Sequence, residues 1–144
     1  MGYGIRNGDS LIQIDHERIE EVLRVLKHGC DGDISLAQNL IECLEQLNWE
    51  CVEQSPQRFS FVHNLDEPMD WDNLQQIAPF LQDGSFFEER PGDYVQDLQG
   101  NSCPGIMRAS IEGGVLRCRL YAVVTGEDGQ RSRQLIEEID PQLI

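Results

Sequence analysis

The pair Gly113-Gly114 separates two segments, Ile106 to Ile111 and Val115 to Val124, in which apolar and polar residues alternate. Adjacent glycines suit the positive φ angles of a type I′ turn, and a two-residue turn fixes the register of the strands it joins. With both glycines central, Glu112 faces Val115, Ile111 faces Leu116, Ala109 faces Cys118 and Met107 faces Leu120. One face of the hairpin is then wholly apolar: Met107, Ala109, Ile111, Leu116, Cys118 and Leu120. The other sets Arg108 opposite Arg119 and Ser110 opposite Arg117, with Tyr121 beyond. Like charges directly opposite each other cost stability unless carboxylates or an anion sit between them. The chain's own acids are the first candidates for that role. An anionic ligand, or a partner's acidic patch, held by Arg108, Arg117 and Arg119 is the alternative.

Upstream the period is helical. Asp15 reads as an N-cap, and a helix to about His28 would bury Ile19, Val22, Leu23 and Leu26 before Gly29 stops it. A second helix, from about Ile34 to Leu47, turns Leu36, Leu40, Cys43, Leu44 and Leu47 inward. Ser35 with Gln38 fits a capping box, with Asp33 competing for the cap. Two amphipathic helices joined by a short turn are expected to pack as an antiparallel pair. The pattern then changes to period two. Ser10 to Ile14, Trp49 to Val52, Arg58 to His63 and Ser85 to Arg90 read as strands, and Phe59, Phe61 and His63 share one face. His63 in such a setting is expected to be a satisfied structural histidine. Leu65 to Met69 reads as a loop, and Asp70 as the cap of a third helix that ends or kinks at Pro79. Residues 90–105, rich in Gly and Pro, are expected to be a mobile loop with a short strand at Tyr94 to Leu98. The spacing of Leu135, Ile136 and Ile139 predicts a short C-terminal helix over 131–139, and residues 1–9 read as a loose arm.

These elements make an α+β fold: an antiparallel sheet with a helix pair, a third helix and a short C-terminal helix, in a single domain over 1–144. With 144 residues the chain is long enough for a substantial core.

The net charge is −15, from 26 acids and 11 bases, and it is unevenly placed. Residues 65–103 hold nine acids and one base, whereas residues 104–144 hold six acids and five arginines. This balance argues against nucleic acid as a direct partner, because phosphates would be repelled. The absence of a long apolar run argues against a membrane span. Five cysteines, with no CxxC pair and no secretory leader in view, suggest reduced thiols in a cytoplasmic setting.

Catalytic and metal patterns are lacking. No phosphate-binding loop, dinucleotide fingerprint, serine elbow or zinc-binding pattern is present, so neither a metal nor a cofactor is expected. His16 and His28, twelve residues apart on the expected first helix, lie too far round to share a metal. Cys103, in the polar stretch Asn101-Ser102-Cys103-Pro104-Gly105, is the one nucleophile-like residue; it reads as an exposed loop thiol with no adjacent base.

The stretch Ile77-Ala78-Pro79-Phe80-Leu81-Gln82-Asp83-Gly84-Ser85-Phe86-Phe87-Glu88, followed by the Gly-Gly hairpin, resembles a segment of small acidic bacterial proteins of unassigned function. In them a helix leads through an Asp-Gly-Ser element into a β-meander. The resemblance covers about a third of the chain and departs from the pattern at the inserted loop 90–105. It implies a bacterial origin and an α+β fold, and carries over no active-site residue.

The leading functional expectation is a non-enzymatic binding protein that docks on a basic protein, as small acidic inhibitors and immunity proteins do. The residues expected to carry it are Asp66, Glu67, Asp70, Trp71, Asp72, Glu88, Glu89 and Asp93. Aromatics in such a surface supply burial while rim acids steer the encounter. A second reading is a small enzyme or anion-binding domain that uses the arginine face near the 90–105 loop. A third is an assembly protein that self-associates through an edge strand.

Overall fold

The structure is a computed structural model, which describes residues 10–64, 70–90 and 94–141. The 1–9 arm, the 65–69 loop and the three docking candidates Asp66, Glu67 and Asp93 lie outside the described residues. The strands are β1 (Ser10–Asp15), β2 (Trp49–Gln54), β3 (Arg58–His63), β4 (Phe86–Glu89), β5 (Val95–Gln96), β6 (Ser102–Cys103), β7 (Gly105–Glu112), β8 (Val115–Thr125) and β9 (Arg131–Ile139). The helices are α1 (Ile19–Val25), α2 (Leu36–Glu45) and α3 (Trp71–Ile77). Seven strands form one antiparallel sheet in the order β2-β3-β1-β4-β7-β8-β9, and β5 and β6 pair in a separate ribbon. The fold class is thus α+β. No helix among the described residues is long and apolar enough to cross a membrane.

The β7–β8 hairpin has the register that its turn dictates, from Glu112 opposite Val115 to Met107 opposite Leu120. Gly113 (φ 62°) and Gly114 (φ 78°) both take the positive φ that a side chain resists. The core lies against one face of the sheet. It gathers Ile19, Val22 and Leu23 of α1, Leu40, Ile41, Cys43 and Leu44 of α2, and Leu74 and Ile77 of α3. From the strands come Ile12, Ile14, Trp49, Phe59, Phe61, Phe87 and Ile111. Ser35 caps α2, accepting a hydrogen bond from the Gln38 N–H at 3.1 Å, and Asp70 caps α3 through the Asn73 N–H at 3.1 Å. At Pro79 the chain leaves α3 in a single 3₁₀ turn over Ala78–Phe80.

Several expectations are corrected. Residues 131–139 are not a helix but the edge strand β9, paired antiparallel with β8. The pairing skips Ile136, which stands as a bulge between Leu135 and Glu137. That extra residue breaks the period of two and brings the apolar positions to a helix-like spacing, while pairing with β8 decides the conformation. Asp15 does not cap a helix with its side chain. It ends β1, where its carboxylate accepts from Arg58 Nε at 3.0 Å and from the Gln82 amide. The first helix is therefore a 3₁₀ turn at His16–Arg18 followed by α1, and His16 and His28 do not share an α-helix. It also stops before Gly29. Lys27 takes φ 55°, the Lys27 N–H bonds the Arg24 carbonyl, and the His28 N–H bonds the Leu23 carbonyl, the hydrogen bonds of a Schellman end.

Candidate functional site

The arginines of the hairpin lie on the sheet face opposite the core. Across four strands, Glu88 of β4 faces Arg108, Arg108 faces Arg119, and Arg119 faces Glu138 of β9. Two acids thus flank the like-charged pair that the register forces together. Arg108 Nη1 lies 2.5 Å from Glu88 Oε2, and Arg133 holds both Glu88 oxygens, at 2.6 and 3.1 Å. Arg119 grips Glu112 through both terminal nitrogens (2.5 and 3.2 Å) and Glu138 through Nε at 3.1 Å. Arg117 lies within ion-pair range of Glu112 (3.8 Å) and Glu138 (3.5 Å). The Arg108 guanidinium carbon also sits 4.0 Å from the centre of the Phe86 ring, a cation–π contact.

The carboxylates record these contacts in their acidity. Burial alone would raise the pKa of Glu88, but hydrogen bonds and charge from Arg133 and Arg108 outweigh it and hold it below the usual range. The Arg119 and Ser110 hydrogen bonds bring exposed Glu112 down to about 2. An external anion at Arg108, Arg117 or Arg119 would have to displace a carboxylate already in place.

Glu88 is therefore not an exposed docking acid. It is 3% exposed and bound by two guanidiniums. The other described docking candidates differ in setting. Asp70 is held in its cap, also taking the Asn73 side-chain amide at 2.8 Å, and Asp72 is exposed on the first turn of α3. Trp71 stacks edge-on against Phe87 at 5.7 Å and donates to Glu89, whose pKa is raised by burial.

Cys103 is likewise displaced from its expected place. It is buried in β6 rather than exposed in a loop. Burial pushes the thiols of Cys43 and Cys118 up to about 11, so both behave as small hydrophobes. None of the five cysteines is in a disulfide. Among the described residues no group of three or more His, Cys, Asp and Glu is arranged to hold a metal ion.

His63 is structural in position but not satisfied. It is 3% exposed, stands edge-on to Trp49 (5.0 Å) and Phe87 (5.3 Å), and neither ring nitrogen has a hydrogen-bond partner among the described residues. Burial lowers its pKa, opposed by the Asn64 backbone, and so favours the neutral ring.

An open hollow of about 600 Å³ lies where α2 gives way to β2, lined by Glu45, Asn48, Trp49, Glu50, Val62, His63 and Asn64. Asn48, at φ 70°, makes the sharp turn from helix to strand that brings Glu45 and Glu50 to one end of the sheet. Both carboxylates are exposed, and neither forms an ion pair among the described residues. Two carboxylates, two amides and an apolar floor suit the head and stem of a lysine or arginine side chain. No motif in the sequence singles out this site. Its signal was present in the lone Asn48 between the end of a helix and a strand beginning at Trp49. Searches against protein-family models, curated proteins and solved structures return no match to this chain.

Proposed function

We propose that this chain is a non-enzymatic acidic binding protein that docks on a basic protein partner, in the manner of an inhibitor or immunity-type protein. The observation that carries this reading is the unequal compensation of charge. Arg108, Arg117, Arg119 and Arg133 are matched by Glu88, Glu112 and Glu138, whereas Glu45 and Glu50 flank an open hollow with no lysine or arginine in its lining among the described residues. To these acids the sequence adds the acidic segment 65–103, with nine acids and one base, which contains Asp66, Glu67, Asp70 and Asp72. The field of such acids attracts a cationic surface and speeds its encounter. Five unpaired thiols favour a reducing, cytoplasmic compartment.

The test is binding of the purified basic partner at graded ionic strength, to wild type and to the E45K/E50K variant. The expected result is an affinity that falls steeply as the Debye length shrinks from about 30 to about 8 Å. E45K/E50K should weaken binding at least about tenfold, mainly through a slower association rate. An affinity indifferent to both salt and E45K/E50K overturns the reading.

A further inference from the structure

The seven-stranded sheet ends in two edges of opposite character. β2 is six residues long, is broken by a register shift between Cys51 and Glu53, and carries Glu50 and Glu53 with no base. Two copies of β2 laid side by side would repel. β9 is nine residues long and, among the described residues, pairs with β8 alone, so its outer edge carries backbone N–H and C=O groups available to another strand. Its charges run in order from bases to acids: Arg131 and Arg133, then Glu137, Glu138 and Asp140. At the centre stands Leu135, 49% exposed.

We propose that β9 pairs antiparallel with β9 of a second copy of this chain, about a two-fold axis at Leu135, joining two seven-stranded sheets into one. The bulge sets the register. Arg131, Arg133, Leu135 and Glu138 share the face of Arg119 and Tyr121, whereas Ser132, Gln134, Glu137 and Ile139 share the opposite one. With Ile136 counted as the extra residue, the alignment that keeps like faces together puts Leu135 opposite Leu135 of the copy. Arg133 then meets Glu138, Arg131 meets Asp140, Gln134 meets Glu137 and Ser132 meets Ile139. Each charged pair occurs twice by symmetry. The row Glu88–Arg108–Arg119–Glu138 thereby continues through Arg133 of the copy to that copy's own Glu88. A parallel alignment would instead set arginine beside arginine, at a cost.

Sedimentation equilibrium of the full chain over a wide concentration range tests this, with a thermal melt of each variant as a folding control. The expected result is a monomer–dimer equilibrium that stops at twice the monomer mass. R131E should weaken it about tenfold, and R131E/D140R, which restores the opposite pairing, should recover it. L135K, which sets two ammonium groups near the axis, should abolish dimerisation while the melt stays close to wild type. A strict monomer at all concentrations overturns the proposal. So does a mass that grows without limit, which would mean β9 joining β2 head to tail. A dimer unaffected by L135K and R131E would place the interface elsewhere and equally overturn it.

Discussion

On the β3-β1-β4 half of the sheet, the helices bury one face in a continuous apolar core, and Glu45 and Glu50 at the α2–β2 corner form no ion pair among the described residues. On the β7-β8-β9 half the buried side chains are fewer and mostly smaller (Ile106, Ala109, Ile111, Cys118 and Ala122), no residue of β9 is buried, and glutamates flank a pair of facing arginines across the outer face. The first half is held mainly by removal of apolar area from water; the second adds to a smaller buried strip a backbone ladder with ion pairs on it. The two kinds of support differ in strength. A buried Leu or Phe contributes several kcal/mol, whereas a solvent-exposed ion pair contributes about 0–1 kcal/mol. They also differ in use. Charge that is paired internally is satisfied in place; an unpaired exposed charge keeps its field in solvent.

The largest expected effect lies in the core. Phe61→Ala, at a position with no exposure, should cost about 3–5 kcal/mol in urea denaturation. Leu135→Ala on β9 should change monomer stability by no more than about 0.5 kcal/mol. Equal costs would abolish the contrast between the halves.

Next comes Glu88, the one buried link of the ionic half. Glu88→Gln should cost about 2 kcal/mol, less than the 3–5 typical of fully buried pairs, because Arg108 and Arg133 are 34% and 42% exposed. A change under about 0.5 kcal/mol would reduce Glu88 to an ordinary surface acid.

Acid separates the halves by pH window. His63 has a folded pKa below its usual 6.5, so its unfolded form takes up a proton first and stability falls as pH drops below about 6.5. Glu88 and Glu112 have folded pKa values below 4.5. Their contribution is complete above about 4.5 and is lost as pH falls through the folded values, about 2 for Glu112. His63→Phe, which keeps the ring contacts with Trp49 and Phe87, should flatten the first window and leave the second. If the slope between about pH 6.5 and 5 survives in that variant, another group is responsible.

The smallest effect is local. Lys27→Gly relieves a left-handed lysine at the end of α1 and should raise stability by up to about 1 kcal/mol. A loss instead would show that the lysine side chain contributes more than its backbone strain costs.

Much of the fold is legible in the sequence where one local signal dominates. Gly113-Gly114 with its alternating flanks specifies the hairpin down to which arginines oppose each other, and Ser35 and Asp70 mark the starts of α2 and α3. Legibility fails where tertiary pairing decides. β9 resembles a helix because Ile136 bulges, and the bulge exists only against β8. The burial of Glu88 depends on Arg133, 45 residues away on that same misread strand. The edge-on packing of His63 against Phe87, 24 residues further along the chain, is likewise a property of a distant neighbour.

The proposed function assigns binding to Glu45 and Glu50 at the α2–β2 corner and not to the arginines of the outer face. The most direct measurement compares binding of the basic partner to E45K/E50K and to R117E, at one low ionic strength. The expected result is at least about a tenfold loss in E45K/E50K, with R117E within about twofold of wild type. A loss confined to R117E, with E45K/E50K binding normally, rules out the acidic corner and moves the binding surface to the arginine face.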